Sequence, residues 1–161
     1  MARGLGSYSS LPLLPFRFRL AGYIMILCSF GAAYLYFWGG RPALFEVPVF
    51  AILTSYAETR WFVLAQTNAL DEIAVIFAVL GLLFILFSRE KEENEETLIL
   101  RIKSLFLSVY LTSAFIIIFY ITVFGWPVFI LISLSFILFL LISIISFKIY
   151  LIRYSKIKSS Q

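Results

Sequence analysis

The stretch "SREKEENEETLILRIK" at residues 88–103 decides how this chain is read. Nine of its sixteen residues carry charge, in a chain that is 62% hydrophobic and 14% charged, and an apolar run lies close on either side of it. A soluble domain carries roughly a quarter charged residues, so the charge here marks where a membrane-embedded chain emerges into water.

Working outward, four apolar runs, 20–38, 73–87, 105–124 and 128–147, approach the roughly 20 residues of helix that cross a ~30 Å hydrocarbon core. We expect an all-α fold: one membrane domain, a four-helix bundle spanning at 18–38, 70–88, 104–124 and 127–148, with a charged hairpin at 88–103. The first run follows Arg17 and Arg19 and ends among small residues, as a secretory leader does. Bulky Leu27 before Cys28 does not suit a lipoprotein site, and we read the run as a span.

The flanking cations set the threading. Arg3, Arg17 and Arg19 precede the first run; Arg89, Lys91, Arg101 and Lys103 lie in the charged stretch; Lys148, Arg153, Lys156 and Lys158 follow the last run. With four crossings these eleven share one side, against Arg41 and Arg60 on the other, so both termini are expected in the cytoplasm. The turn around Gly125, Trp126 and Pro127 is tight and makes the last two helices an antiparallel hairpin. The connection at 39–71 is long and apolar, "ALFEVPVFAIL" at 43–53 being too short to span. Pro42 and Pro48 predict an extended or broken extracytoplasmic loop there, and Phe45, Phe50, Tyr56, Trp61 and Phe62 suit the membrane interface.

Two polar groups are candidate sites. In the charged stretch, acidic residues come first and basic residues later, which favours a helix start at the acidic end. Glu92, Glu93 and Glu96 fall at helical spacings at which carboxylates gather around a divalent cation. The plainer reading is a solvated helix start or a partner-docking surface formed by Arg89, Glu92, Glu93, Glu96 and Arg101, with Arg101 and Lys103 reaching the headgroups. The second group, Asn68, Asp71 and Glu72, shares one face of the second helix. It is either a capping arrangement or, should the helix begin earlier, a set of membrane carboxylates suited to ion coupling. Small residues recur at Ala74, Ala78 and Gly81, at Ser104, Ser108 and Thr112, and at Ser133, Ser143 and Ser146, as in helices that approach closely in lipid.

The chain has no histidine and one cysteine, which removes imidazole catalysis, bis-histidine haem ligation and paired-thiol redox chemistry. No motif implies a cofactor or metal. The net charge of +4 sits beside the apolar runs, pointing to anionic lipid headgroups on the cytoplasmic side rather than to nucleic acid.

The order of features in "LDEIAVIFAVLGLLFILFSREKEENEETLILRIKSL", a helix ending in Ser88, Arg89, Glu90 and Lys91 followed by an acidic helix start, resembles small bacterial inner-membrane proteins of four predicted helices. The likeness runs over about residues 40–150 and rests on the short "SREK" and acidic segment. It implies an inner-membrane location and brings no activity with it. We expect a noncatalytic accessory, assembly or signalling subunit, bound to another membrane protein or to further copies of itself. The alternatives are a small ion-coupled transporter using Asp71 and Glu72, and a lipid-modifying enzyme built on the acidic cluster.

Overall fold

The computed structural model describes residues 12–55, 59–91 and 93–159. Helix α1 spans Arg17–Phe37, and a short 3-10 turn at Ala43–Phe45 leads into strands β1, Glu46–Ser55, and β2, Thr59–Asn68. Helices α2, Leu70–Phe87, α3, Glu95–Thr122, and α4, Trp126–Ser159, complete the chain. Each of the four helices is long and apolar enough to cross a membrane. Their side chains agree with that: Leu27 is 72% exposed, Phe30 70% and Ile121 66%, surfaces that hydrocarbon solvates and water does not. This is a mostly helical, multi-pass membrane protein.

The helices divide differently from the expected spans at the charged end. Helix α3 begins at Glu95, so the connection from α2 is short and half of the charged stretch is already helical. The cause is local: the Asn94 side chain accepts from Thr97 N at 2.8 Å and the Thr97 hydroxyl accepts from Asn94 N at 3.0 Å, a reciprocal cap. Helix α4 likewise runs on through the basic tail to Ser159.

Two compact units can be distinguished, 1–24 with 79–161, and 25–78. In the first, α3 and α4 are antiparallel, because Ser108 meets Ser143 at 2.5 Å while Arg101, earlier in α3, lies over the ring of Phe147, later in α4. The turn between them uses Gly125 at φ +80°, a conformation that suits glycine. Their seam is polar and dry: Ser104, Ser108 and Ser143 have no exposed surface, and Ser146 and Thr112 are buried. Ser104 donates to Arg101 O at 2.7 Å and so is satisfied within its own helix, whereas the buried Thr112 hydroxyl has no partner among the described residues. The start of α1 packs on α2 through Gly22, where a Cβ would come within 2.7 Å of Gly81 O and 2.9 Å of Ile85 Cγ1. Close backbone approach there requires the glycine.

In the second unit, the Ser29 hydroxyl donates to Ala74 O at 2.7 Å. The segment expected as a loop is a β-hairpin, a departure from a wholly α fold. Its strands pair antiparallel from Glu46 opposite Asn68 to Ser55 opposite Thr59, and Ala69 N closes the base on Phe45 O at 2.9 Å. Val47, Val49, Phe50, Ile52, Trp61 and Phe62 are the β-branched and aromatic types that favour strands, which is why this short apolar run did not become helix. These side chains are exposed on both faces of the ribbon. Tyr56 lies outside the described residues.

Candidate functional site

The charged connection folds around two anchors, both within the first unit. The first is Arg101, only 2% exposed although it stands in a stretch expected to face headgroups. Its guanidinium donates to the carbonyls of Leu86 and, at 3.2 Å, Ser88, and contacts both oxygens of Glu93 at 3.3–3.4 Å. It also stacks over Phe147, 4.5 Å from the ring centroid. The carbonyls belong to the end of α2, where the last turn lacks partners of its own. Arg101 therefore caps α2 from α3, with a cation at the negative end of the helix dipole. Its Nε atom is buried without a partner.

Glu93 completes this anchor. Besides Arg101, its carboxylate accepts from Glu90 N at 2.7 Å and from the Thr97 hydroxyl at 3.4 Å, which fixes the turn that starts α3.

The second anchor is Glu90, which no spacing in the sequence marks out. Its carboxylate takes a hydrogen-bonded ion pair from Arg19 of α1 and another from Lys148 of α4, the latter at 3.2 Å. Burial pushes the Glu90 carboxyl up, but the Arg19 guanidinium and the Lys148 ammonium outweigh it and hold the group below the usual carboxylate value. The backbone reinforces the join: Leu14 N donates to Phe87 O and Arg89 N to Leu14 O, each at 2.9 Å. The segment before α1, the α2–α3 connection, α3 and α4 are thus tied together by one charged knot.

The residues proposed from sequence consequently separate. Arg101 and Glu93 turn inward, which corrects the reading of Arg101 as a headgroup contact: three acceptors and an aromatic face hold it inside. Arg89 and Glu96 are exposed, and Glu92 lies outside the described residues. Among the described residues no group of three or more His, Cys, Asp or Glu side chains is placed to hold a metal ion.

The second group lies in the other unit. Asn68 ends β2; its Oδ1 accepts from Leu70 N at 3.3 Å and its Nδ2 donates to Pro42 O at 3.3 Å. It joins the hairpin base to the start of α2 and does not reach the third helical position as a capping box would. Asp71 and Glu72 occupy the first turn of α2, where negative charge is favourable. Asp71 Oδ1 is buried with no hydrogen-bond partner among the described residues, while Glu72 is exposed.

Sequence reasoning singled out Arg101 and Glu93 for partner contact, whereas the structure engages both internally, and it gave no site role to Arg19, Glu90 or Lys148. The available signal was weak: Arg19 and Lys148 lie at the same end of their helices as the connection, and a carboxylate in between is a natural partner. Comparison with protein-family models, with curated proteins and with solved structures gave no match to this chain, so the resemblance drawn from the "SREK" segment gains no support there.

Proposed function

We propose that the protein is a noncatalytic accessory or assembly subunit of a larger membrane complex, in a bacterial inner membrane with both termini and the charged connection in the cytoplasm. The observation that carries this reading is the hairpin Glu46–Asn68. It exposes Phe50 at 60%, Trp61 at 62% and Leu64 at 74%, and among the described residues each strand pairs along one edge only. A lone two-stranded ribbon is marginal in water, and unpaired strand edges are excluded from the hydrocarbon core. An interfacial ribbon of this kind is suited to cover by another membrane protein, through strand addition or apolar contact. Exposed Arg89 and Glu96 offer a second, polar contact.

Purification of the tagged protein from its native host in mild detergent, followed by mass spectrometry, tests the reading. We expect a stoichiometric companion that is lost when Trp61 and Leu64 are both changed to serine. Recovery of the chain alone, under conditions that preserve known complexes of the same membrane, would contradict it.

The buried Oδ1 of Asp71 favours a second reading, an ion-coupled carrier in which Asp71 and Glu72 take and release the ion. It requires water access to Asp71, and loss of transport in Asp71→Asn reconstituted in vesicles.

A further inference from the structure

Beside the charged knot lies an open cleft of about 680 Å³, within the first unit. This falls inside the range of small-molecule sites, roughly 300–1,000 Å³. Lys91 from the α2–α3 connection and Lys158 from the last turn of α4 contribute to its walls, with Phe16, Leu151, Tyr154 and Ser155 among the other lining residues.

The charges of the cleft do not cancel. Among the described residues its one carboxylate, Glu90, is already engaged by Arg19 and Lys148. Among the described residues, neither Lys91 nor Lys158 pairs with a carboxylate. Both are exposed, and the Lys91 ammonium is 5.8 Å from the centroid of the Phe16 ring. Two ammonium groups without a carboxylate partner among the described residues, the Tyr154 hydroxyl, and apolar surface from Phe16 and Leu151 make an amphipathic recess. Its walls come from the α2–α3 connection and the basic end of α4, segments that follow apolar spans in the sequence.

We infer that this cleft binds a phosphate ester, with Lys91 and Lys158 engaging the phosphate and Phe16 and Leu151 receiving the apolar part of the ligand. The ligand class is an anionic phospholipid or a soluble phosphate monoester of similar head. The inference goes beyond the accessory-subunit reading and needs no partner protein. Lysine is a suitable point charge for phosphate, and basic residues add to binding at an anionic lipid surface. Loss of both lysines is accordingly expected to weaken binding about tenfold or more.

The test is native mass spectrometry of the purified protein in neutral detergent, titrated with phosphatidylglycerol or with phosphatidylcholine of the same acyl chains. The expected result is preferential retention of phosphatidylglycerol, reduced at least about tenfold in Lys91→Gln/Lys158→Gln and preserved in Lys91→Arg/Lys158→Arg and in the control Lys103→Gln/Arg153→Gln. If the double glutamine variant does not fold, Lys158→Gln alone, on the exposed last turn of α4, is expected to show a partial loss. Glycerol phosphate is then added as competitor. Displacement of the lipid identifies a site open to soluble phosphate esters, and its failure identifies a lipid site; both outcomes support the cleft as a phosphate site. Equal retention of the two lipids, or undiminished phosphatidylglycerol binding in a folded glutamine variant, would overturn the inference.

Discussion

Arg101→Met will destabilise the protein by about 3–5 kcal/mol, the usual consequence of removing one partner from a buried ion pair. Methionine keeps much of the apolar stem of arginine, so the loss reads the guanidinium rather than a cavity. What is lost is specific: the carbonyls of Leu86 and Ser88 at the end of α2 lose their donor, and Glu93 is left part-buried with its charge unmatched. Adding Glu93→Gln to Arg101→Met removes the stranded charge and should recover part of the loss, because much of the penalty in the single variant is the uncompensated carboxylate. Reversible unfolding in mixed micelles measures both. A change below about 1 kcal/mol in the single variant, the range of exposed pairs, would mean that Arg101 is solvated and caps nothing.

Glu90→Gln is the second large effect, expected at about 2–3 kcal/mol near neutral pH because it leaves Arg19 and Lys148 facing a neutral group. We place it below Arg101 because Glu90 keeps 14% side-chain exposure and Lys148 38%, so water shares the load. The pH dependence follows from the sign of the shift. The folded-state value of Glu90 lies below its unfolded value, ordinarily about 4.3. Its contribution is therefore complete above the unfolded value and is lost as pH falls through the lower, folded one. Stability of the unmodified protein should fall over that acidic window, and the Glu90→Gln variant should lack this component, so that the two converge at low pH. A constant gap between them across the window would contradict the assignment.

How much of this was legible depended on whether the deciding interactions were local. The four spans could be read because each is a property of a single segment, apolar length against bilayer thickness. The tight turn at Gly125 was equally local. The acidic end of the 88–103 stretch is legible as a helix start, but its boundary at Glu95 is set by the Asn94–Thr97 cap, which charge order alone does not locate. The segment reads as extended or broken on account of Pro42 and Pro48, while pairing of β1 with β2 depends on a register that its continuous apolar run does not specify. Arg101 shows the opposite failure: a cation near a membrane end was assigned to headgroups by its own position, while its fate was set by unpaired carbonyls at Leu86 and Ser88. Glu90 required three distant segments to meet, which one sequence does not disclose.

The proposed function rests on a proposed threading, in which four crossings return every cation-rich flank to the cytoplasm. Single cysteines placed at Arg89, Lys156 and Leu44 in a Cys28→Ser background, probed with a membrane-impermeant maleimide, test it directly. The account predicts that positions 89 and 156 are unreactive in intact cells and become reactive on permeabilisation, while position 44, at the foot of the hairpin, reacts from outside. Labelling of 89 and 156 from opposite faces of the membrane would contradict it.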